Sequence, residues 1–187
     1  MKRLRFSEDF SEYLASLSEE EAAEIKAAFT SLETRLSLPS AHEKAIFRDY
    51  ERAHMCLSGL GVPVSEALRR LDPARLGGYY ARSATAWYPL DSSAKVYPLS
   101  MGRGKMAVFR LSAYMTGEIR PELLQIALNT TVTRFPYFAV SVKRGFFWHY
   151  LDGLKARFPI SEENGFPCEA IDLSSTRAPA FRVIYYR

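Results

Sequence analysis

The spacing of apolar residues changes from a helical period in the first half of the chain to an alternating one in the second half. Up to residue 84, apolar side chains recur every three or four residues, as they do on one face of a helix. Two stripes show this spacing: Ile25, Phe29, Leu32 and Leu36, then Ile46, Tyr50, Ala53 and Leu57. Because one pattern cannot serve both as helix and as strand, the switch predicts a helical region over 1–84 followed by an α+β region over 85–187.

Start and stop signals divide the first half into separate helices. Two residue pairs have the spacing of capping boxes: Ser18 with Glu21, and Ser40 with Glu43. Pro39 ends the first of these helices, and the matching stripes on either side of it predict an antiparallel helical hairpin. Shorter helices are expected over 65–71 and 73–76, since Gly77-Gly78 is a typical helix stop.

The second half has the pattern of a small sheet with one helix. The alternating run "AVFRLSAYM" (107–115) and the aromatic runs 137–142, 146–151 and 180–186 predict strands, and we expect strands only after about residue 105. Lys143-Arg144-Gly145 is typical of a three-residue hairpin loop with glycine at positive φ. Between the first two strands lies a helix with the apolar stripe Leu124, Leu128, Val132 and Phe135. We therefore predict a partial mixed or antiparallel sheet with one packed helix.

Composition narrows the class of protein. The chain has 187 residues, 48% of them apolar, which suits one domain with a sizeable core. Its net charge of +4 is not grouped into basic blocks, so nucleic-acid binding is not favoured. No apolar run approaches membrane-spanning length, and we expect no membrane span. Cys56 and Cys168 lie far apart without metal-type neighbours, so we expect buried free thiols in the cytoplasm.

The three histidines are candidates for catalytic or metal-binding groups. His149 precedes Asp152-Gly153 in the order H-x-x-D-G, but Asp-Gly is typical of a turn that ends a strand. We therefore interpret His149 as an ordinary strand residue. His42 and His54 lie on the predicted helical hairpin without a Cys, Asp or Glu at ligand spacing, and we predict no metal site.

Over residues 86–187, the order of segments resembles that of a known family. "WYPLDSSAKVYPLS" (87–100), a strand, "PELLQIALNTTVTRFPYF" (121–138), an aromatic hairpin and "PCEAIDL…APAFRVIYY" follow one another as at the start of alcohol acetyltransferase-like proteins. These belong to the CoA-dependent acyltransferase superfamily, with chloramphenicol acetyltransferase and the condensation domains of peptide synthetases. The resemblance implies the front part of that fold, acyl-CoA as co-substrate with no bound cofactor, and acyl transfer to a hydroxyl or amine.

Two departures from the family pattern bear on activity. The family often has an Asp cap before the helix proline, where this chain has Arg120. In the family, the catalytic H-H-x-x-x-D-G follows the strand that corresponds to 180–186, and its second His is the general base. The chain stops at Arg187, before that motif would begin. The resemblance thus implies no counterpart of the catalytic residues here, and we predict no turnover by the isolated chain.

The resemblance also points to a substrate-facing segment. In the family, the segment that corresponds to 87–100 lies near the mouth of the substrate channel, which makes Tyr88, Asp91 and Lys95 candidate substrate-binding residues. Asp91 and Lys95 are four residues apart, a spacing that suits an ion pair if the segment is helical. A purely structural role for this pair therefore stays open.

The sequence is consistent with two functions. The chain is either the N-terminal part of a CoA-dependent acyltransferase or a non-catalytic binding or assembly module that retains part of the fold. The last strand has Phe181, Val183 and Tyr185 on one face, and we expect one of its edges to lack a neighbour. An open apolar edge predicts a homodimer. The alternative is that the helical region covers the edge and keeps the chain monomeric.

Overall fold

A computed structural model gives the fold of residues 5–36, 40–75, 87–100, 108–166, 168, 171 and 178–186. The fold is α+β, as predicted. The helices are α1 (Glu8–Ala15), α2 (Glu19–Arg35), α3 (Ser40–Gly59), α4 (Val64–Leu71), α5 (Val96–Ser100) and α6 (Pro121–Arg134). The strands are β1 (Tyr88–Pro89), β2 (Val140–Arg144), β3 (His149–Gly153), β4 (Ile160–Glu162) and β5 (Val183–Tyr185).

The chain divides into two compact units. The helical unit consists of Met1–Arg82 and Arg120–Arg134, and the sheet unit consists of Ser83–Ile119 and Phe135–Arg187. Within the described residues of both units, no helix is long and apolar enough to cross a membrane.

The helix starts of the helical unit follow from side-chain caps. The capping box predicted at the start of α2 is confirmed, because Ser18 accepts from the amide of Glu21 while the Glu21 carboxylate accepts from Ser18. Ser7 caps α1 by accepting from the amide of Phe10. The second predicted capping box depends on the side chain of Ser40, which lies outside the described part of the chain.

The core of the helical unit forms from the two predicted stripes. All eight stripe residues are buried. Phe29 lies in a cluster of aromatic rings, with centroids 5.1 Å from Phe10, 5.2 Å from Phe47 and 5.7 Å from Phe6. Such ring pairs add to the free energy gained by burial alone. The two predicted helices are thus joined through their apolar faces.

Helix α4 covers the predicted 65–71 helix and begins one residue earlier. After it, Asp72 accepts from the amide of Ala74 in a turn that the structure describes as far as residue 75. The predicted helix over 73–76 and its glycine stop extend outside the described residues.

Helix α6 packs through a face that the sequence did not predict. Leu124 and Leu128 are only half-buried and Phe135 is exposed, whereas the buried positions are Gln125, Ile126, Asn129, Thr130 and Val132. Polar side chains are tolerated there because they are hydrogen-bonded. Asn129 donates to Asp49 of α3 at 3.2 Å, and Gln125 donates to Asn129 at 2.9 Å. The helix expected on the sheet therefore packs in the helical unit.

The sheet unit contains two small sheets. Antiparallel pairing gives the order β1-β3-β2, with Tyr88 opposite Leu151 and Arg144 opposite His149. Strands β4 and β5 form a separate parallel pair, with Ile160 opposite Val183. The expectation of strands only after about residue 105 is wrong. The two residues of β1 pair with β3 and add a short third strand to the aromatic hairpin.

The hairpin turn lies later in the chain than predicted. Lys143 and Arg144 belong to β2, and Phe146-Phe147 form the tip between Gly145 and Trp148. Gly145 is not at positive φ. A Cβ atom on Gly145 would lie 2.6 Å from the carbonyl oxygen of Trp148, which accepts from the Gly145 amide at 2.8 Å. Glycine is needed here for close backbone approach rather than for a left-handed conformation.

The predicted strand over 107–115 is not formed in its described part, 108–115. Alternation reports β-propensity, but a strand also needs a neighbour, and none pairs with this segment among the described residues. From Phe109 onward its side chains are exposed, with Leu111 98% and Tyr114 99% accessible. Arg110 binds Glu163 at the end of β4, and this contact lowers the pKa of the Glu163 carboxyl.

The last strand keeps the predicted alternation over a shorter length. Phe181, Val183 and Tyr185 are half-buried, whereas Arg182, Ile184 and Tyr186 are exposed. Within the described residues β5 pairs with β4 alone, so its other edge has no strand beside it.

Candidate functional site

The sheet unit contains an open cavity of about 570 Å³, which we call the aromatic cavity. Its walls come from the start of β1, the turn before α5, the hairpin tip and β3. The lining residues are Trp87, Pro89, Leu90, Lys95, Phe146, Phe147, Trp148, His149, Tyr150 and Asp152. Large apolar surfaces with a few polar groups are typical of small-molecule sites.

Strand pairing brings the walls of the aromatic cavity together. Pro89 lies opposite Tyr150, and the ring of Trp87 meets that of Tyr150 edge-on at 6.3 Å. Because successive side chains of a strand point to opposite faces, Tyr88 points away from Trp87. Its ring instead contacts Tyr137 at 5.2 Å. Tyr88, a predicted site residue, does not line the cavity.

The two charged candidates have different roles. Asp91 accepts from the amide of Ala94 at 2.6 Å, which fixes the turn over 92–95 ahead of α5. Lys95 lines the cavity, and its Nζ lies 5.1 Å from the centroid of the Trp148 ring, a cation–π distance. The pair is in a turn rather than a helix, and the described residues contain no ion pair between them.

His149 begins β3 opposite Arg144, as expected for a strand residue, and is half-buried. It borders the cavity together with Asp152. No hydrogen bond joins His149 to Asp152 or to a hydroxyl within the described residues. A general base in acyl transfer is held by an orienting partner, so this arrangement provides a wall for a ligand and lacks an oriented base.

A second cavity, of about 530 Å³, lies in the helical unit between α2 and α4. Three arginines border it, but Arg35 and Arg69 already face carboxylates. Arg35 lies 3.8 Å from Asp72, and Arg69 binds Glu66. Hydrogen bonds from Arg69 and then Arg70 lower the pKa of Glu66 to about 2. Carboxylates thus engage two of the three arginines that border this cavity.

His54 is fully buried among aromatic rings. Phe10, Tyr13 and Phe29 surround it at centroid distances of 6.1, 5.7 and 6.4 Å. Neither ring nitrogen has a hydrogen-bond partner in the described structure, and burial lowers the pKa of the imidazole to about 4. His54 is therefore a neutral core residue. In the described parts of both units, no three His, Cys, Asp or Glu side chains are grouped closely enough to hold a metal ion.

Both cysteines are free thiols, as predicted, but the prediction that they are buried is wrong. Cys56 is half-buried and Cys168 is exposed. Burial, followed by the nearby charge of Glu122, raises the pKa of the Cys56 thiol. The Cys56 thiol is therefore less reactive than a fully solvated one.

Comparison of the chain with known proteins found no matching family model, no matching curated protein and no matching solved structure.

Proposed function

We propose that the chain forms the N-terminal part of a CoA-dependent acyltransferase of the alcohol acetyltransferase-like type. The aromatic cavity would receive part of the acyl-CoA or of its hydroxyl or amine acceptor. The observation that carries the proposal is the contact between Lys95 and Trp148. It joins the segment that the resemblance places at a channel mouth to the aromatic hairpin, and a cavity lies where they meet.

The lining chemistry suits such substrates. Trp87, Trp148 and Tyr150 offer apolar surface to an acyl chain or an apolar alcohol. The Lys95 ammonium offers three hydrogen-bond donors and a positive charge. That group suits a CoA phosphate or the polar end of an acceptor.

The catalytic base would come from residues outside these 187. In acyl transfer, a base takes the proton as the acceptor oxygen or nitrogen attacks the thioester carbonyl and the CoA thiolate leaves. The sequence contains no H-H-x-x-x-D-G. His54 is buried in the core, and His149 lacks an orienting partner among the described residues. We therefore expect this chain to bind substrate without turning it over.

Tryptophan fluorescence gives a direct test of binding. The chain has two tryptophans, Trp87 and Trp148, and both line the aromatic cavity. Titration with acetyl-CoA should quench or shift their emission, and Lys95→Gln should weaken binding about threefold to tenfold. Lys155→Gln, an exposed lysine outside the cavity lining, is the matched control. An unchanged emission spectrum, or equal binding by the Lys95 variant, would contradict the proposal.

Turnover is tested separately. We expect no release of free CoA from acetyl-CoA in the presence of alcohols. Release that disappears in His149→Ala would show that this histidine is a catalytic base after all.

The alternative function is a non-catalytic assembly module in the cytoplasm. It is favoured by the exposed apolar side chains of 108–115 and by Ile184 and Tyr186, which lie at an edge of β5 that has no paired strand among the described residues. Such an edge invites a second copy, so this reading predicts a homodimer. Sedimentation at micromolar concentration should show a dimer that Ile184→Lys disrupts. A monomer with slow amide exchange throughout 180–186 would mean that the edge is already covered.

A further inference from the structure

The tip of the β2–β3 hairpin is an exposed aromatic turn. Phe146 is 95% accessible, Phe147 77% and Trp148 57%. The two phenylalanine rings meet edge-on at 4.7 Å, so they form one apolar knob. Tight turns ordinarily carry Gly, Asn, Asp or Ser, and Phe146 and Phe147 bury little of their surface within the fold. Their presence calls for a binding role.

Cations border this aromatic knob. Lys143 and Arg144 precede it in β2, and Lys95 lies over Trp148. Lys143 and Arg144 have no ion-pair partner among the described residues. The nearest acidic residue along the hairpin is Asp152, which lies further down β3 opposite Ser141. The tip is thus apolar at its end and positive just behind it.

We propose that this hairpin tip docks on the surface of an anionic lipid membrane. Phe and Trp side chains settle at the level of the lipid headgroups and acyl chains, where an apolar ring leaves water. Lysine and arginine just behind such rings reach the phosphates of anionic lipids. Charge complementarity therefore selects the occupant. The proposal concerns surface binding without crossing, and it does not depend on acyl transfer.

The shape of the tip also favours a membrane over a protein partner. Phe146 and Phe147 lie beyond the last paired residues, Arg144 and His149, so apart from the side that borders the aromatic cavity they form a protruding apolar end. A fluid lipid surface accepts a convex apolar knob without a matching pocket. A protein partner would have to supply that pocket.

Co-sedimentation of the whole chain with lipid vesicles tests the proposal. We expect binding to mixed phosphatidylcholine and phosphatidylserine vesicles at least about tenfold tighter than to pure phosphatidylcholine, decreasing as salt is added. The double variant Phe146→Ser with Phe147→Ser should bind these anionic vesicles about tenfold more weakly, or weaker still. Phe166→Ser removes an equally exposed phenylalanine, 90% accessible, and should bind as the parent does. Lys143→Gln with Arg144→Gln should remove most of the preference for phosphatidylserine.

Trp148 emission gives a second readout at the tip itself. In a Trp87→Phe background Trp148 is the sole tryptophan, and its emission should shift to shorter wavelength when anionic vesicles are added. Circular dichroism should show that the serine variants stay folded. The proposal is overturned if anionic vesicles bind no protein, or if the serine pair binds them as well as the parent. Self-association without lipid that the serine pair abolishes would assign the tip to a protein interface instead.

Discussion

The helical unit buries its apolar residues, and the sheet unit displays them. Among the described residues, all but three of the buried apolar side chains lie in the helical unit; the three exceptions are Ala139, Val140 and Phe158. The large exposed apolar side chains show the reverse distribution, since Leu60 is the one member of that group among the described residues of the helical unit. Two halves of one chain with similar apolar content thus reach opposite outcomes.

The contrast follows from how helices and strands satisfy their backbone. A helix makes its hydrogen bonds within itself and needs a neighbour only for its apolar stripe. A strand needs a neighbour for its hydrogen bonds as well. The described strands are two to five residues long and have few partners. We infer that the helical unit provides most of the folding free energy, and that the sheet unit offers surfaces for binding.

The largest predicted difference compares two phenylalanines. Phe29 is 4% accessible inside the aromatic cluster, and Phe109 is 84% accessible in the segment 108–115, called the extended segment below. Phe29→Ala should lower the free energy of unfolding by about 3–5 kcal/mol because it leaves a cavity. Phe109→Ala should change it by less than about 0.5 kcal/mol. Urea denaturation measures both, and similar losses would mean that the extended segment is packed.

His54 should make the helical unit sensitive to acid. Its pKa falls from the ordinary 6.5 to about 4 on burial, so the unfolded chain holds more protons at low pH. The stability that neutral His54 contributes is complete above about pH 6.5 and is lost as pH falls towards 4, by about 3 kcal/mol in total. His54→Leu should remove this part of the pH dependence. A parent and variant with parallel pH profiles would show that His54 does not stay neutral in the core.

A smaller effect is expected where α6 meets α3. Asn129→Ala removes two buried hydrogen bonds, the one that Asn129 donates to Asp49 and the one that it accepts from Gln125. The substitution should lower the free energy of unfolding by about 2 kcal/mol. Thr131→Ala, on the exposed face of the same helix, is the control. Equal effects in thermal unfolding would mean that the polar face does not hold α6.

The smallest effect concerns the start of α2. Ser18→Ala removes the capping box and should lower the free energy of unfolding by about 1 kcal/mol. Ser161→Ala, exposed in β4, caps nothing and should have no measurable effect. Calorimetry of the two variants separates them, and an unchanged midpoint for Ser18→Ala would indicate that the helix start is held by packing alone.

The two units also differ in how far sequence reasoning reached. The stripes and the Ser18 cap were predicted because they depend on residues within one helix. The buried face of α6 was not, because Gln125 and Asn129 are buried through a bond to Asp49, 80 positions away from Asn129. The absence of a strand over 108–115 was equally hidden, since alternation says nothing about whether a neighbour exists.

The walls of the aromatic cavity were also beyond sequence reasoning, because they depend on contacts between residues that are distant in the sequence. Lys95 was a candidate on the basis of its segment, but its contact with Trp148 spans 53 positions and appears only in the fold. Tyr88 was chosen with it and points elsewhere, because the face of a two-residue strand depends on its pairing with β3. The signal in the sequence was the concentration of aromatic residues over 146–150. Together with the aromatic residues in 87–90, it would have indicated the walls of the cavity.

Native-state amide exchange tests the central contrast most directly. If the helical unit carries the stability, amides within α2, α3 and α6 should exchange only through global unfolding. Amides in β2, β3 and β5 should exchange through local opening, at least about a hundredfold faster. Protection in β2 and β3 equal to that in α2 and α3 would contradict the account, because it would show that the sheet unit is as firmly built as the helices.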